Sequence, residues 1–128
     1  MKHREQALVL LQKARDDEVL VEEVLSVQRI SDDTIGFHCQ QAVEKLLKAV
    51  LSMHAVRYRK THDLRELMDL LADAGCALPP DLRDLDTLNP YASMLRYELK
   101  PPDSAFDRRK ALEMVRRLRQ WVEPQIAD

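Results

Sequence analysis

From Lys2 to Gln28 no glycine or proline interrupts the chain, and Ala7, Leu10, Leu11, Ala14, Val21, Val24 and Leu25 recur at helical spacing. A run of that length and period folds as one long helix and must bury its apolar stripe against other helices. The rest of the chain has the same character: 128 residues hold 2 glycines, 45% hydrophobic and 33% charged residues, a mixture that favours helix over turn-rich sheet. One turn of the first helix breaks the stripe, because Asp17 and Glu18 stand where hydrophobes are expected. Carboxylates that face inward need a cation or hydrogen-bond donors, and Lys45 and Arg96 are the candidates.

Ser31 to Thr34 offer N-cap oxygens and negative charge for a second helix that runs to about His54, with Ile35, Cys39, Ala42, Leu46, Ala49 or Val50, and Met53 on one face. Val43 and Leu47 widen that face, so this helix touches two neighbours, while Gln41, Glu44, Lys48 and Ser52 take the wet side. Thr61, His62 and Asp63 open a third helix, Asp63 and Glu66 have capping-box spacing, and Gly75 supplies a left-handed stop. Pro79 and Pro80 suit the first turn of a fourth helix with the stripe Leu82, Leu85, Leu88, Ala92 and Leu95, kinked at Pro90. After the break between Arg96 and Pro102, Asp103 or Ser104 begins the last helix, whose inward residues are Ala111, Leu112, Val115, Leu118, Val122 and Ile126. The expected architecture is all-α, an antiparallel up-and-down bundle of four main helices plus a shorter fifth, in one domain over residues 1–128.

Net charge is -2, so any attraction to nucleic acid must come from a local patch. No apolar run approaches the length that spans a bilayer, and the start MKHREQ has no apolar core of a leader, so the chain is expected in the cytoplasm and away from membranes. Cys39 and Cys76 stand apart without metal-ligand spacing; they read as reduced thiols, and neither a metal nor a cofactor is implied.

Local clusters supply the candidates for function. Arg57, Tyr58, Arg59 and Lys60 place three cations and one ring in four residues, directly before His62 and Asp63, which either handle a nucleotide or simply cap the third helix. His38 reads as a satisfied core or interface residue. Arg108, Arg109, Lys110, Arg116, Arg117 and Arg119 form either a nucleic-acid stripe or an ordinary solvated face. Trp121 suits a packing or dimer-interface anchor, and with the wide apolar faces of the second helix it points to a two-fold homodimer.

The stretch Phe37-His38-Cys39-Gln40-Gln41-Ala42-Val43-Glu44-Lys45-Leu46-Leu47-Lys48-Ala49, followed by Thr61-His62-Asp63-Leu64 and Leu95-Arg96-Tyr97, resembles the signature order of HEPN-domain proteins over most of the chain. The resemblance implies a helical bundle, frequent homodimers and, in prokaryotes, frequent pairing with a small nucleotidyltransferase in toxin–antitoxin or related systems. Catalytic members of that family carry an Arg followed after four to six residues by His near the start of the last helix, and cut RNA. Arg96 stands at the motif arginine, yet residues 98–107 contain no histidine. Proton transfer at a 2′-hydroxyl needs a group poised near neutral pH, which an arginine is not. A literal match at Arg57 and His62 precedes the third helix and is read as coincidental, with His62 kept as the one possible catalytic group. Arg96 and Tyr97 either grip a phosphate and stack on a base, or complement a helix dipole and seal a bundle end. Three functional readings follow: a nucleotide- or RNA-binding module acting through Arg96, Tyr97, Arg57, Arg59, Lys60, His62 and Asp63, favoured over a ribonuclease toxin and over a ligand-free interaction or scaffold protein.

Overall fold

A computed structural model describes residues 2–93 and 106–126. Among these residues there are four α-helices, α1 (Lys2–Val24), α2 (Asp32–Met53), α3 (Leu64–Asp73) and α4 (Arg108–Ile126), two 3-10 segments (Pro80–Leu82 and Leu85–Tyr91), and no strand. The all-α bundle expected from periodicity is the observed architecture.

Helix ends follow local chemistry. The Ser31 hydroxyl accepts from the Thr34 amide at 3.1 Å, with Asp32 and Asp33 in the first turn of α2. At the other end Ala55 adopts φ 58°, and the amides of Val56 and Ala55 donate to the carbonyls of Leu51 (2.9 Å) and Ser52 (3.0 Å). This paired return of the chain caps α2, and α3 ends the same way: Gly75 has φ 79° and the Cys76 amide donates to Leu71 at 2.8 Å. The Gly75 stop was readable because glycine carries no Cβ penalty there, whereas alanine at the matching position of α2 carries no such mark.

α2 is the centre of the bundle and packs against α1, α3, α4 and the second 3-10 segment. Its Leu46, Leu47 and Leu51 are at most 1% exposed, and burying a side chain of that kind stabilises by about 1.5–3 kcal/mol. α1 contributes Ala7, Ala14 and Val21 to the core. Ladder-like pairs set the direction of α4. Arg4 donates to the Ile126 carbonyl, Arg15 pairs with Glu123, Arg119 with Glu18 and Arg116 with Glu22, so position rises along α1 as it falls along α4 and the two run antiparallel.

Three boundaries differ from the sequence reading. α1 stops at Val24, not Gln28, because the Arg108 guanidinium gathers the carbonyls of Leu25, Val27 and Ile30 and also binds Asp32 at 2.7 Å, which stabilises a turn instead of a further helical turn. α4 begins at Arg108, and Asp107, not Asp103 or Ser104, provides the capping oxygen, accepting from the amides of Arg109 (2.9 Å) and Lys110 (3.2 Å). The segment expected as a fourth α-helix is 3-10: buried Leu82, Leu85, Leu88 and Tyr91 recur every third residue, which aligns them on a helix of three residues per turn. Pro90 removes an amide donor there. Leu95 of the expected stripe lies outside the described residues.

The Tyr91 ring from that segment packs closely against α2 at Gly36. A Cβ at position 36 would sit 2.4 Å from Tyr91 Cδ1, so Gly36 is required for the contact. Gly36→Ala is expected to lower stability by about 1–3 kcal/mol, the cost of forcing extra volume into a packed interior. Urea denaturation checks this, and an unchanged midpoint would mean that Tyr91 shifts freely.

Candidate functional site

The inward carboxylates of α1 are matched by partners from two helices. Asp17 accepts from Lys45 Nζ at 2.6 Å and meets His38 Nδ1 at 3.0 Å, so His38 is a half-buried polar anchor between α1 and α2. Glu18, 7% exposed, is held by Arg119 through two hydrogen bonds of 2.7 and 3.1 Å, and this pairing raises the Arg119 pKa. Lys45 was an expected partner; Arg119 was not. Four of the six basic residues of α4 are cross-braces within the chain: besides Arg119, Arg108 holds the α1–α2 turn, Arg116 pairs with Glu22 and Glu113, and Arg117 pairs with Asp81 at 2.7 Å, while Arg109 and Lys110 are exposed. Beside Asp17, burial pushes the Cys39 thiol up to about 12, with the Asp17 charge adding to the shift, so it is an inert core group.

A second polar junction lies on α2, roughly a quarter to a third of a turn round from the first. Glu44, placed on the wet side by sequence, is 4% exposed, because the connection from Val56 to Asp63 covers it. Its Oε1 receives Gln40 Nε2 at 3.1 Å and faces His62 Nδ1 at 2.9 Å, and its Oε2 receives Lys48 Nζ at 2.9 Å. Gln40, 0% exposed, also donates to the His62 carbonyl at 3.0 Å, and Gln41 donates to Gln40 at 2.8 Å. Burial pushes the Glu44 pKa up, but hydrogen bonds from Lys48, His62 and Gln40 with the Lys48 charge outweigh it and hold the carboxyl below its ordinary value. An ionised carboxylate only accepts, so His62 Nδ1 carries a proton in this contact and Nε2 is the nitrogen left for other partners. The His62 side chain is 61% exposed. The result is an imidazole fixed from below and open above.

The basic run divides among several tasks. Arg59 is gripped by Glu66 in a fork of three hydrogen bonds between 2.7 and 3.1 Å, which takes Glu66 out of the expected capping box. Asp63 is the α3 N-cap, accepting from the Arg65 amide at 3.0 Å, while its own amide donates to Thr61 Oγ1. Helix capping thus belongs to Asp63, and His62 belongs to the Glu44 junction. Lys48 Nζ stands 5.6 Å from the centroid of the Tyr58 ring. Thr61 is buried, and its neighbours Lys60 and His62 are both exposed. Arg57 lies instead with His3 and Gln6 around a hollow at the end of the bundle. Arg96 and Tyr97 lie outside the described residues. Among the described residues, no group of three His, Cys, Asp or Glu is arranged for a metal ion, and no helix is long and apolar enough to cross a membrane.

The model of the HEPN domain family matches residues 7–125. The chain belongs to the HEPN family. No curated protein and no solved structure matches it. Family membership makes it a nucleotide- or RNA-related module in general, and the α2–His62 junction of this HEPN protein is built from the stretch Phe37–Ala49 and from Thr61–Leu64, two of the three segments that carry the family's signature order.

Replacing Glu44 tests the junction. Glu44→Gln removes a charge that holds Lys48 and His62, an expected loss of about 1.5–3 kcal/mol at neutral pH. The folded pKa lies below the ordinary 4.5, so the wild-type contribution is present above that value and fades as pH falls through the folded pKa. The stability gap between wild type and Glu44→Gln should therefore be wide at pH 7 and narrow below about pH 4.5; denaturant titrations at several pH values read it directly, and a gap independent of pH would contradict the ionised, donor-rich junction.

Proposed function

We propose that this HEPN protein is a nucleotide- or RNA-binding module in which His62, held at Nδ1 by buried Glu44, presents its Nε2 edge to a phosphate beside Lys60. The observation that carries the reading is the Glu44–His62 contact of 2.9 Å under a side chain that is 61% exposed. A surface histidine normally samples several rotamers; one anchored by a buried carboxylate meets its ligand at lower entropic cost. Arg96 and Tyr97 are further contacts in this reading, for phosphate and base respectively. Arg59 and Asp63 act indirectly, by fixing the connection on which Lys60 and His62 stand.

The assembly we propose is a cytoplasmic homodimer acting with a nucleotidyltransferase partner in a toxin–antitoxin-like system. The apolar faces of α2 are spent inside the protomer, and Trp121 packs on the core. The surface that suits a second copy is on α1, where Leu8, Val9, Val19 and Leu20 are 38–56% exposed. Val9 and Leu20 are eleven positions apart, about three helical turns, so both pairs share one side, and a two-fold axis between them sets each pair against the other.

The anchored His62 also favours a second reading, a ribonuclease that uses it as acid–base group. Arg57, its partner in the literal motif match, faces the hollow instead. A histidine that acts alone, with no second group for the leaving oxygen among the described residues, gives little cleavage.

Fluorescence anisotropy with labelled single-stranded RNA tests the reading. His62→Ala should weaken binding about tenfold, equivalent to about 1.4 kcal/mol, and Lys60→Ala should reduce the salt-dependence slope by about one unit. Unchanged affinity in His62→Ala would defeat the proposal. The same samples are expected to leave RNA intact on a gel and to scatter light at twice the chain mass of 14.9 kDa; cleavage lost in His62→Ala would favour the ribonuclease, and a 14.9 kDa particle would remove the dimer.

A further inference from the structure

Where α1 begins and α2 ends, His3, Gln6, Ala55, Val56, Arg57 and Tyr58 line an open hollow of about 290 Å³. His62, Glu44 and Lys60 take no part in its lining. Its chemistry is mixed in a particular way. Val56 and the Ala55 methyl offer an apolar floor, Tyr58 a ring, Gln6 an amide that both donates and accepts, and Arg57 and His3 two groups that take an anion. A planar ring with hydrogen-bonding edges and one attached anion satisfies all of these at once. The volume is near the lower end of small-molecule sites, about 300 Å³, which admits one such unit and excludes a folded strand pair.

Two features mark the hollow as more than a surface dent. Most arginines of this chain are committed: Arg15, Arg59, Arg65, Arg108, Arg116, Arg117 and Arg119 all have carboxylate partners. Among the described residues Arg29, Arg57, Arg83 and Arg109 have none within ion-pair distance, and of these four Arg57 is the one that lines the hollow. Ala55 is the second feature. It holds φ 58° at the position where α3 uses Gly75, and a non-glycine residue in that region costs about 1–2 kcal/mol. Ala55 is also one of the residues that line the hollow. Lys48 over the Tyr58 ring restrains that ring, so a stacking partner need not order it.

We propose that this hollow binds one nucleotide unit, with the base against Tyr58 and the Ala55–Val56 floor, Gln6 on the base edge, and the phosphate on Arg57 and His3. The inference rests on the nucleotide reading above for its ligand class only; the site is separate from His62. The unit arrives either as a free mononucleotide or as the phosphorylated end of an RNA, and the two share this chemistry.

Amide-resolved NMR titration of the full chain tests it, with AMP, adenosine, inorganic phosphate and a short oligoadenylate bearing a 5′-phosphate as probes. AMP should shift amides in the first two turns of α1 and from Ser52 to Tyr58, and adenosine or phosphate alone should bind roughly tenfold or more weakly, because each makes half the contacts. Arg57→Ala should weaken AMP roughly tenfold, while Arg83→Ala, an exposed cation elsewhere, leaves it unchanged. Ala55→Gly should raise the melting temperature and weaken AMP, the two effects moving in opposite directions. Saturation by the oligoadenylate without AMP binding would assign the RNA end as the source. No shifts in the hollow with millimolar AMP or with the oligonucleotide, or shifts that survive Arg57→Ala, would overturn the proposal. If RNA affinity ignores His62→Ala while AMP still marks the hollow, the earlier reading falls and this one stands.

Discussion

Glu44 is an ionised carboxylate buried in the central helix of the bundle, and such a group costs several kcal/mol unless donors surround it. Two donors come from its own helix, Gln40 one turn before and Lys48 one turn after. The third is His62, from a connection with no regular structure to hold it. That dependence ties the connection down: Gln40 binds the His62 backbone, Thr61 is buried next to it, and α3 starts immediately afterwards at the Asp63 cap. The exposed edge of His62 descends from one buried charge and its donors, and Lys48, one of those donors, also stands 5.6 Å from the centroid of the Tyr58 ring.

A similar economy joins the outer helices. Asp17 and Glu18 interrupt the apolar stripe of α1 and are met by Lys45 and His38 on one side and by Arg119 on the other. Replacing such pairs by hydrocarbon often preserves stability, but removing a single partner strands a buried charge. Their role here is orientational: each pair is compatible with one register of α1 against its neighbour, which a stripe made of small residues such as Ala7 and Ala14 specifies poorly.

Much of the fold was legible in the residues because helical period, caps and stops are local. Ser31, Asp63 and Gly75 act where they were read, and α2 and α3 have the expected extents. What escaped the sequence depends on distance or on a subtler period. Arg119 meets Glu18 from 101 residues away, and nothing local distinguishes it from its solvated neighbours. Glu44 looked wet because the connection that supplies His62 to it has no periodicity of its own. The 3-10 segment did carry a signal, hydrophobes at every third residue from Leu82 to Tyr91, which resembles an α-helical stripe over so short a span. Of the site residues named from sequence, His62 and Lys60 are both exposed, Arg59 is held by Glu66 and Asp63 caps α3, Arg57 lines a separate hollow, and Arg96 and Tyr97 lie outside the described residues.

The central claim is a histidine whose inner nitrogen is held by a carboxylate. The tautomer of His62 tests that claim most directly, because neutral histidine in water prefers the proton on Nε2 and only a fixed acceptor at Nδ1 reverses the preference. A long-range proton–nitrogen correlation spectrum of the imidazole, recorded at a pH where the ring is neutral, should show His62 with Nδ1 protonated and Nε2 bare. The Nε2-protonated form, or rapid averaging between the two, would contradict the Glu44 contact and with it the site built upon it.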